Sequence, residues 1–432
     1  MKHFQLILML TFIAVSPVFA QLSNAEKKIL GRIDANYDES LLFLEKVVNI
    51  NSGSLNVEGV KKVGKVFADA FSEIGFDSKL LPLPESMKRG DHLFSELNAG
   101  KPKGKKLLLI GHLDTVFEED SSFQTFRRSG DTIYGPGASD MKGGDVIILY
   151  ALKALKEAGV LKNTQIIVAM TGDEEKTGDP MEVSRQPLIN AAKRSDVALG
   201  FEGATGFNYA TVARRGTASW TLETSGKRAH SAGVFSKNTG AGAIYEAARI
   251  LNAFYENLQE EYLTFNPGLI LGGSTVEVAN DQSRGSAEGK TNVVSPTAFV
   301  KGDLRFLTAE QMQKTQAKME KIVAQNLPGT EAKFTFEPGY PSMPPTEGNL
   351  KVLATLSQIS QDLGQGEVLA FDPGRRGAGD ISFVADYVDA LDGLGVDGDG
   401  AHTLSETMDL ASYKDFMKRA ALLIYRLINE KK

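Results

Sequence analysis

Three short runs of the chain are apolar at every position: 107–110 (Leu-Leu-Leu-Ile), 166–170 (Ile-Ile-Val-Ala-Met) and 197–199 (Val-Ala-Leu). A strand that reads this way is covered on both faces, the habit of largely parallel sheets packed between helices. Between the first two runs, residues 146–155 carry apolar side chains at helical spacing. Strands alternating with amphipathic helices over 41–199 predict an α/β fold, with a mixed, largely parallel sheet between helices.

Beyond Arg214 the pattern changes. Residues 217–224 alternate, with Ala218, Trp220 and Leu222 on one face and Ser219, Thr221 and Glu223 on the other. An amphipathic helix is predicted over 239–258. Residues 298–306 then alternate again, Ala298, Val300, Gly302, Leu304 and Phe306 against Phe299, Lys301, Asp303 and Arg305. Thr308 opens a further helix, with Gln311 as the capping-box partner that reaches back. This order predicts a small α+β domain inserted at 214–327 into the larger one, and the Pro/Gly-rich stretch 338–348 returns the chain. The larger domain is then expected in two parts, 21–213 and 328–432.

Residues 1–20 differ in kind. Lys2 and His3 precede the apolar run 4–15, and Ser16-Pro17-Val18-Phe19-Ala20 ends on a small residue, the layout of a signal peptide. That run falls short of the roughly 20 residues that cross a bilayer. Cleavage after Ala20, an exported and periplasmic location, and no membrane attachment after cleavage are expected.

Composition narrows the chemistry. A length of 432 residues with 42% hydrophobic content suits two or three domains with real cores. Lys and Arg total 48 against 54 Asp and Glu, a net charge of −6 with no basic run, so nucleic acid is not an expected partner. Cysteine is absent, which removes disulfides, thiolate metal sites and thiol catalysis together. Any metal must be held by His, Asp and Glu.

Outside the leader the histidines are His92, His112, His230 and His402. His112 follows the first apolar run in Gly111-His112-Leu113-Asp114-Thr115, at a strand's carboxyl end, where open α/β sheets place ligands. Asp114 points to the same side and can hold the imidazole. Gly137-Ala138-Ser139-Asp140-Met141-Lys142-Gly143-Gly144 presents one carboxylate on a tight turn; by itself Asp140 reads equally as a helix cap. The second apolar run leads into Asp173-Glu174-Glu175, the third into Glu202, and Gly398-Asp399-Gly400-Ala401-His402 places a histidine in a glycine loop. His92 follows Asp91 in what reads as a polar loop, matches no motif and is taken as structural. Two histidines and several carboxylates at one sheet edge would repel without cations. Nitrogen and oxygen donors without sulfur suit a pair of Zn²⁺ ions bridged by Asp140.

Together and in this order, these segments resemble the zinc-dependent metallopeptidase family of glutamate carboxypeptidase, aminoacylase and succinyl-diaminopimelate desuccinylase, over nearly the whole mature chain. The resemblance implies His112 and Glu202 on one zinc, Glu175 and His402 on the other, Asp140 between them, Glu174 as general base and Asp114 orienting His112. It further implies the inserted domain as a lid with His230 as its oxyanion donor, often from the second subunit of a dimer, and a cis peptide after Asp140. Arg305 with Asn292, of Asn292-Val293-Val294-Ser295-Pro296, would grip a substrate carboxylate. Gly377-Ala378-Gly379-Asp380 departs from the family loop, with Gly379 where a Thr is usual. The expected activity is amide hydrolysis, releasing a C-terminal amino acid such as glutamate from a small peptide or N-acyl amino acid. An aminopeptidase, dipeptidase or deacylase on the same core, and a non-catalytic binding protein, stay open. The inserted domain is where a homodimer would form.

Overall fold

The three all-apolar runs become the centre of one sheet in the computed structural model, which describes residues 22–430; the expected signal peptide lies outside the described residues. The catalytic sheet contains β1 (Asp77–Leu81), β2 (His92–Asn98), β3 (Leu107–His112), β4 (Gln165–Thr171), β5 (Val197–Gly200) and, late in the chain, β10 (Asp389–Leu391). Their order is β1-β2-β4-β3-β5-β10. β3 runs parallel to β4 and β5, and β10 parallel to β5, while β1 and β2 form an antiparallel edge. Alternate residues feed the two faces. Leu107 and Leu109 join the core under α1 (Asn24–Val48), α2 (Val57–Glu73), α3 (Lys142–Ala158), α7 (Glu347–Asp362) and α8 (Leu410–Asn429), whereas Leu108 and Ile110 pack with Leu188 and Ala192 of α4 (Met181–Ala192). This is the α/β sandwich that the apolar runs predict.

His92 is not in a polar loop. It is the first residue of β2 and fully buried: Nε2 donates to Ser184 O at 2.9 Å and Nδ1 accepts the Gly172 N–H at 3.0 Å.

The lid is a separate antiparallel sheet of β6 (Gly216–Gly226), β7 (Thr264–Gly273), β8 (Thr297–Phe306) and β9 (Thr330–Pro338), in the order β7-β8-β6-β9. Trp220, Leu222, Val300 and Leu304 face Ile250 and Phe254 of α5 (Ala243–Asn257) and Met319 of α6 (Ala309–Val323). The helix expected from 239 starts later because Gly240 and Gly242 sit at φ 76° and 87°, outside helical space. Thr308 caps α6 as expected, but Gln311 Oε1 accepts from Leu307 N–H at 2.8 Å rather than from the cap residue. The lid also runs past 327. β9 pairs with β6 from Thr330↔Gly226 to Pro338↔Ala218, covering a strand edge that would otherwise lie open. The two crossings between domains are bonded to each other, Arg214 to Met343 and Thr217 to Tyr340.

Candidate active site

Because β3, β4 and β5 are parallel, their carboxyl ends lie at one edge. His112 is the last residue of β3, Glu174 and Glu175 follow β4, and Glu202 follows β5. Asp140 stands on the turn before α3, where Gly137 at φ 77° lets the chain double back and the Asp140–Met141 peptide is cis. His402 arrives from the loop before α8, at φ 64°.

His112 Nδ1 donates to the Asp114 backbone oxygen at 3.0 Å, which leaves Nε2 facing Asp140 Oδ1 at 3.3 Å and Glu202 Oε1 at 3.7 Å. Across the site, His402 Nε2 is 3.1 Å from Asp140 Oδ2 and 3.1 Å from Glu175 Oε2. Two triads result, His112–Asp140–Glu202 and Asp140–Glu175–His402, each with its donor atoms within 4.8 Å of one another. Asp140 gives one oxygen to each.

The electrostatics show what the set lacks. Burial pushes Glu202 up to about 7, with the charge of Asp140 adding to it. Burial also raises Glu174 well above the usual carboxylate range, followed by repulsion from Glu202, and raises Glu175. His402 is pushed up to about 11 by its hydrogen bonds to Asp140 and Glu175. For Asp140, burial acts upward, but the bonds to His112 and His402 win and hold its carboxyl low. The carboxylates therefore call for positive charge. Nitrogen and oxygen donors, with the buried Glu175 Oε1 lacking any hydrogen-bond partner, fit divalent cations.

Asp114 does more than the expected orienting. Its carboxylate is 3.5 Å from His112 Nδ1, and its closer bonds go elsewhere: to Ser54 Oγ at 2.6 Å, and to the N–H groups of Glu174 at 3.0 Å and Glu175 at 3.1 Å. It thereby sets the backbone of the acidic loop, while its own carbonyl fixes the imidazole.

Behind that loop lies an ion network with no counterpart in the sequence reading. Arg185, fully buried, binds Asp173 Oδ1 at 2.5 Å and Asp380 Oδ1 at 2.7 Å, and donates to Tyr340 Oη at 3.1 Å. Tyr340, on the return crossing from the lid, donates in turn to the Glu174 backbone oxygen at 3.1 Å. Arg214 donates to Gly377 O and Ala378 O, and its guanidinium would lie 3.0 Å from a β-carbon at 379, so a larger residue there requires the arginine to give by a few tenths of an ångström. Arg376 donates to Gly203 O at 2.8 Å and keeps a buried Nε without a partner. A pair of arginines inside a glycine loop, 374–379, was the available signal.

Among the described residues, His230, Asn292 and Arg305 of the lid make no hydrogen bond or ion pair with either triad. His230 is exposed and pairs with Val293, which places it and Asn292 at the end of the lid sheet remote from the crossings. Arg305 is opposite Thr217 at the crossing end and bonded to Asp303 at 3.1 Å. Eight residue steps of β8, about 26 Å at roughly 3.3 Å per residue, separate the two ends. Within one chain Arg305 and Asn292 therefore stand too far apart to share one carboxylate.

The sequence profile of peptidase family M20/M25/M40 matches residues 108–429. Carboxypeptidase G2 of Pseudomonas sp. (strain RS-16) is 27% identical over 390 residues, covering 89% of this chain and 88% of that protein. Succinyl-diaminopimelate desuccinylase of Gluconobacter oxydans is 24% identical over 377 residues, covering 82% and 89%. Among solved structures, aminopeptidase PepT of Bacillus cereus superposes with a TM-score of 0.72 at 18% identity, covering 93% of this chain and 98% of that one. A Bacillus subtilis dinuclear metal binding peptidase of the M20 family superposes with a TM-score of 0.64 at 14% identity, covering 91% and 99%.

Proposed function

Since the chain belongs to peptidase family M20/M25/M40, whose relatives here hydrolyse amide bonds, we propose that it is a dinuclear zinc carboxypeptidase releasing a C-terminal amino acid such as glutamate from a small peptide or N-acyl amino acid. The observation that carries this reading is the pair of triads sharing Asp140, with the Glu174 carboxyl beside them. The similarity to carboxypeptidase G2 supports the direction of cleavage.

Bound at the triads, two Zn²⁺ ions would polarise the amide carbonyl and acidify the attacking water. Glu174 accepts the proton of that water and delivers it to the leaving nitrogen. Asp114 holds the loop that aims Glu174, and Arg376 holds the backbone oxygen of Gly203, next in the chain to Glu202. His230 would serve as oxyanion donor from a second copy. Such a homodimer is supported by the exposed Ile244 and Tyr245 on α5 and Ile270 on β7, the edge strand of the lid sheet. In the same reading the protein is exported after cleavage at Ala20.

Zinc-loaded protein incubated with dipeptides, folates and N-acyl amino acids, and analysed by mass spectrometry, tests the proposal. Blocking the substrate's free carboxylate should abolish turnover; loss on blocking the amine instead would mark an aminopeptidase. Glu174→Gln should retain both metals and lose turnover by at least about a hundredfold. Full activity in that variant would refute the assignment of the base.

A further inference from the structure

Glu406 is completely buried, four residues beyond His402, and belongs to none of the metal triads. Its carboxylate gathers the turn that carries Asp140. Oε1 accepts the N–H of Ser139 at 2.9 Å, the N–H of Asp140 at 3.1 Å and the Ser139 hydroxyl at 3.2 Å, and Oε2 accepts the N–H of Gly137 at 3.3 Å. Its own backbone closes the other loop: Glu406 N–H donates to Thr403 O at 3.1 Å, and next to it Thr407 N–H donates to Asp399 O at 2.8 Å. The two loops also touch directly, since a β-carbon on Gly398 would come within 3.0 Å of Ser139 Cβ.

A buried carboxylate is costly unless its oxygens are satisfied, and here the donors are the backbone of a single turn. Chains of this kind, in which an outer residue fixes the orientation of a ligand, set how well a metal site is preorganised. Asp140 must present one oxygen to each triad, so a small rotation of its turn would spoil both together. His402 is exposed and held in the left-handed region, so it depends on its loop for placement.

We propose that Glu406 is the positioning residue of the whole metal centre, locking the bridging carboxylate of Asp140 to the loop that delivers His402. This rests on the dinuclear reading above. The test is titration of the metal-free full chain with Co²⁺ alone, read by visible absorption and calorimetry, for wild type, Glu406→Gln and Glu406→Ala. The nearly isosteric Gln keeps the volume but removes one acceptor and the charge. Both variants should bind Co²⁺ about 10- to 100-fold more weakly at both sites, Ala more so than Gln, with an altered ligand-field spectrum and unchanged far-ultraviolet circular dichroism. Wild-type affinity and spectrum in folded Glu406→Gln would overturn the proposal, as would weakening confined to one site. Failure of the wild-type chain to bind Co²⁺ would instead overturn the dinuclear reading itself.

Discussion

Replacing Arg185 with Met should destabilise the protein severely although residue 185 binds no metal. The guanidinium is fully buried between Asp173, also fully buried, and Asp380, 3% exposed. Asp380 has one further side-chain partner, Thr171 Oγ1 at 2.5 Å, and Asp173 keeps Ser184 Oγ and the Gly178 N–H. Removing one member of a buried ion pair costs about 3 to 5 kcal/mol, because the remaining charge stays out of water without compensation. At roughly 2–4 °C per kcal/mol for a domain of this size, the melting temperature should drop by about 6 to 20 °C. The assay is thermal unfolding at saturating zinc, comparing wild type, Arg185→Met and Arg185→Met/Asp173→Asn/Asp380→Asn. The triple variant should regain much of the loss, since the stranded charges go with the cation. A single variant within about 2 °C of wild type, or a triple variant no better than the single, would refute the argument that charge balance holds this network together.

Tyr340→Phe removes the hydroxyl that bonds the Glu174 carbonyl, Arg185 and Thr177; loss of the bond to the Glu174 backbone, about 1 kcal/mol, should lower kcat about fivefold with KM and metal content unchanged, and an unaltered kcat would disprove the link. His92 has its pKa lowered chiefly by burial, so below about pH 6.5 the unfolded chain takes up a proton that the folded chain refuses. Stability contributed by neutral His92 is therefore present above that pH and falls as pH drops, by up to about 1.4 kcal/mol per unit. His92→Gln should flatten the fall in denaturant midpoint between pH 7 and 5.5, and identical slopes would count against it. Chelation should lower thermal stability as well as activity, and zinc at about a hundred times its Kd should restore about 2.7 kcal/mol; a melting temperature indifferent to metal would mean that the triads bind none.

The patterning of the chain determined the three central strands of the catalytic sheet, though not its edge strands or β10, and much of the site's inventory. Short all-apolar runs that alternate with amphipathic helices read as strands covered on both faces, and the polar residues that end them lie at one edge once those strands are parallel. His112, Glu175 and Glu202 could thus be placed from strand ends alone, and Asp140 and His402 from glycine-lined segments whose meaning came from family likeness. Tertiary structure decided what surrounds them. Glu406 meets Asp140 across 266 positions, Arg185 meets Asp380 across 195, and Tyr340 reaches Glu174 across 166. Such pairs leave no periodic trace, because each member, taken locally, is an ordinary charged or polar residue in a helix or loop. The same holds for β9, whose alternation reads as any half-buried strand until β6 offers an edge to pair with. The separation of Arg305 from Asn292 follows from the register of β8 in the lid sheet, a property of strand pairing that neither residue carries in its own neighbourhood.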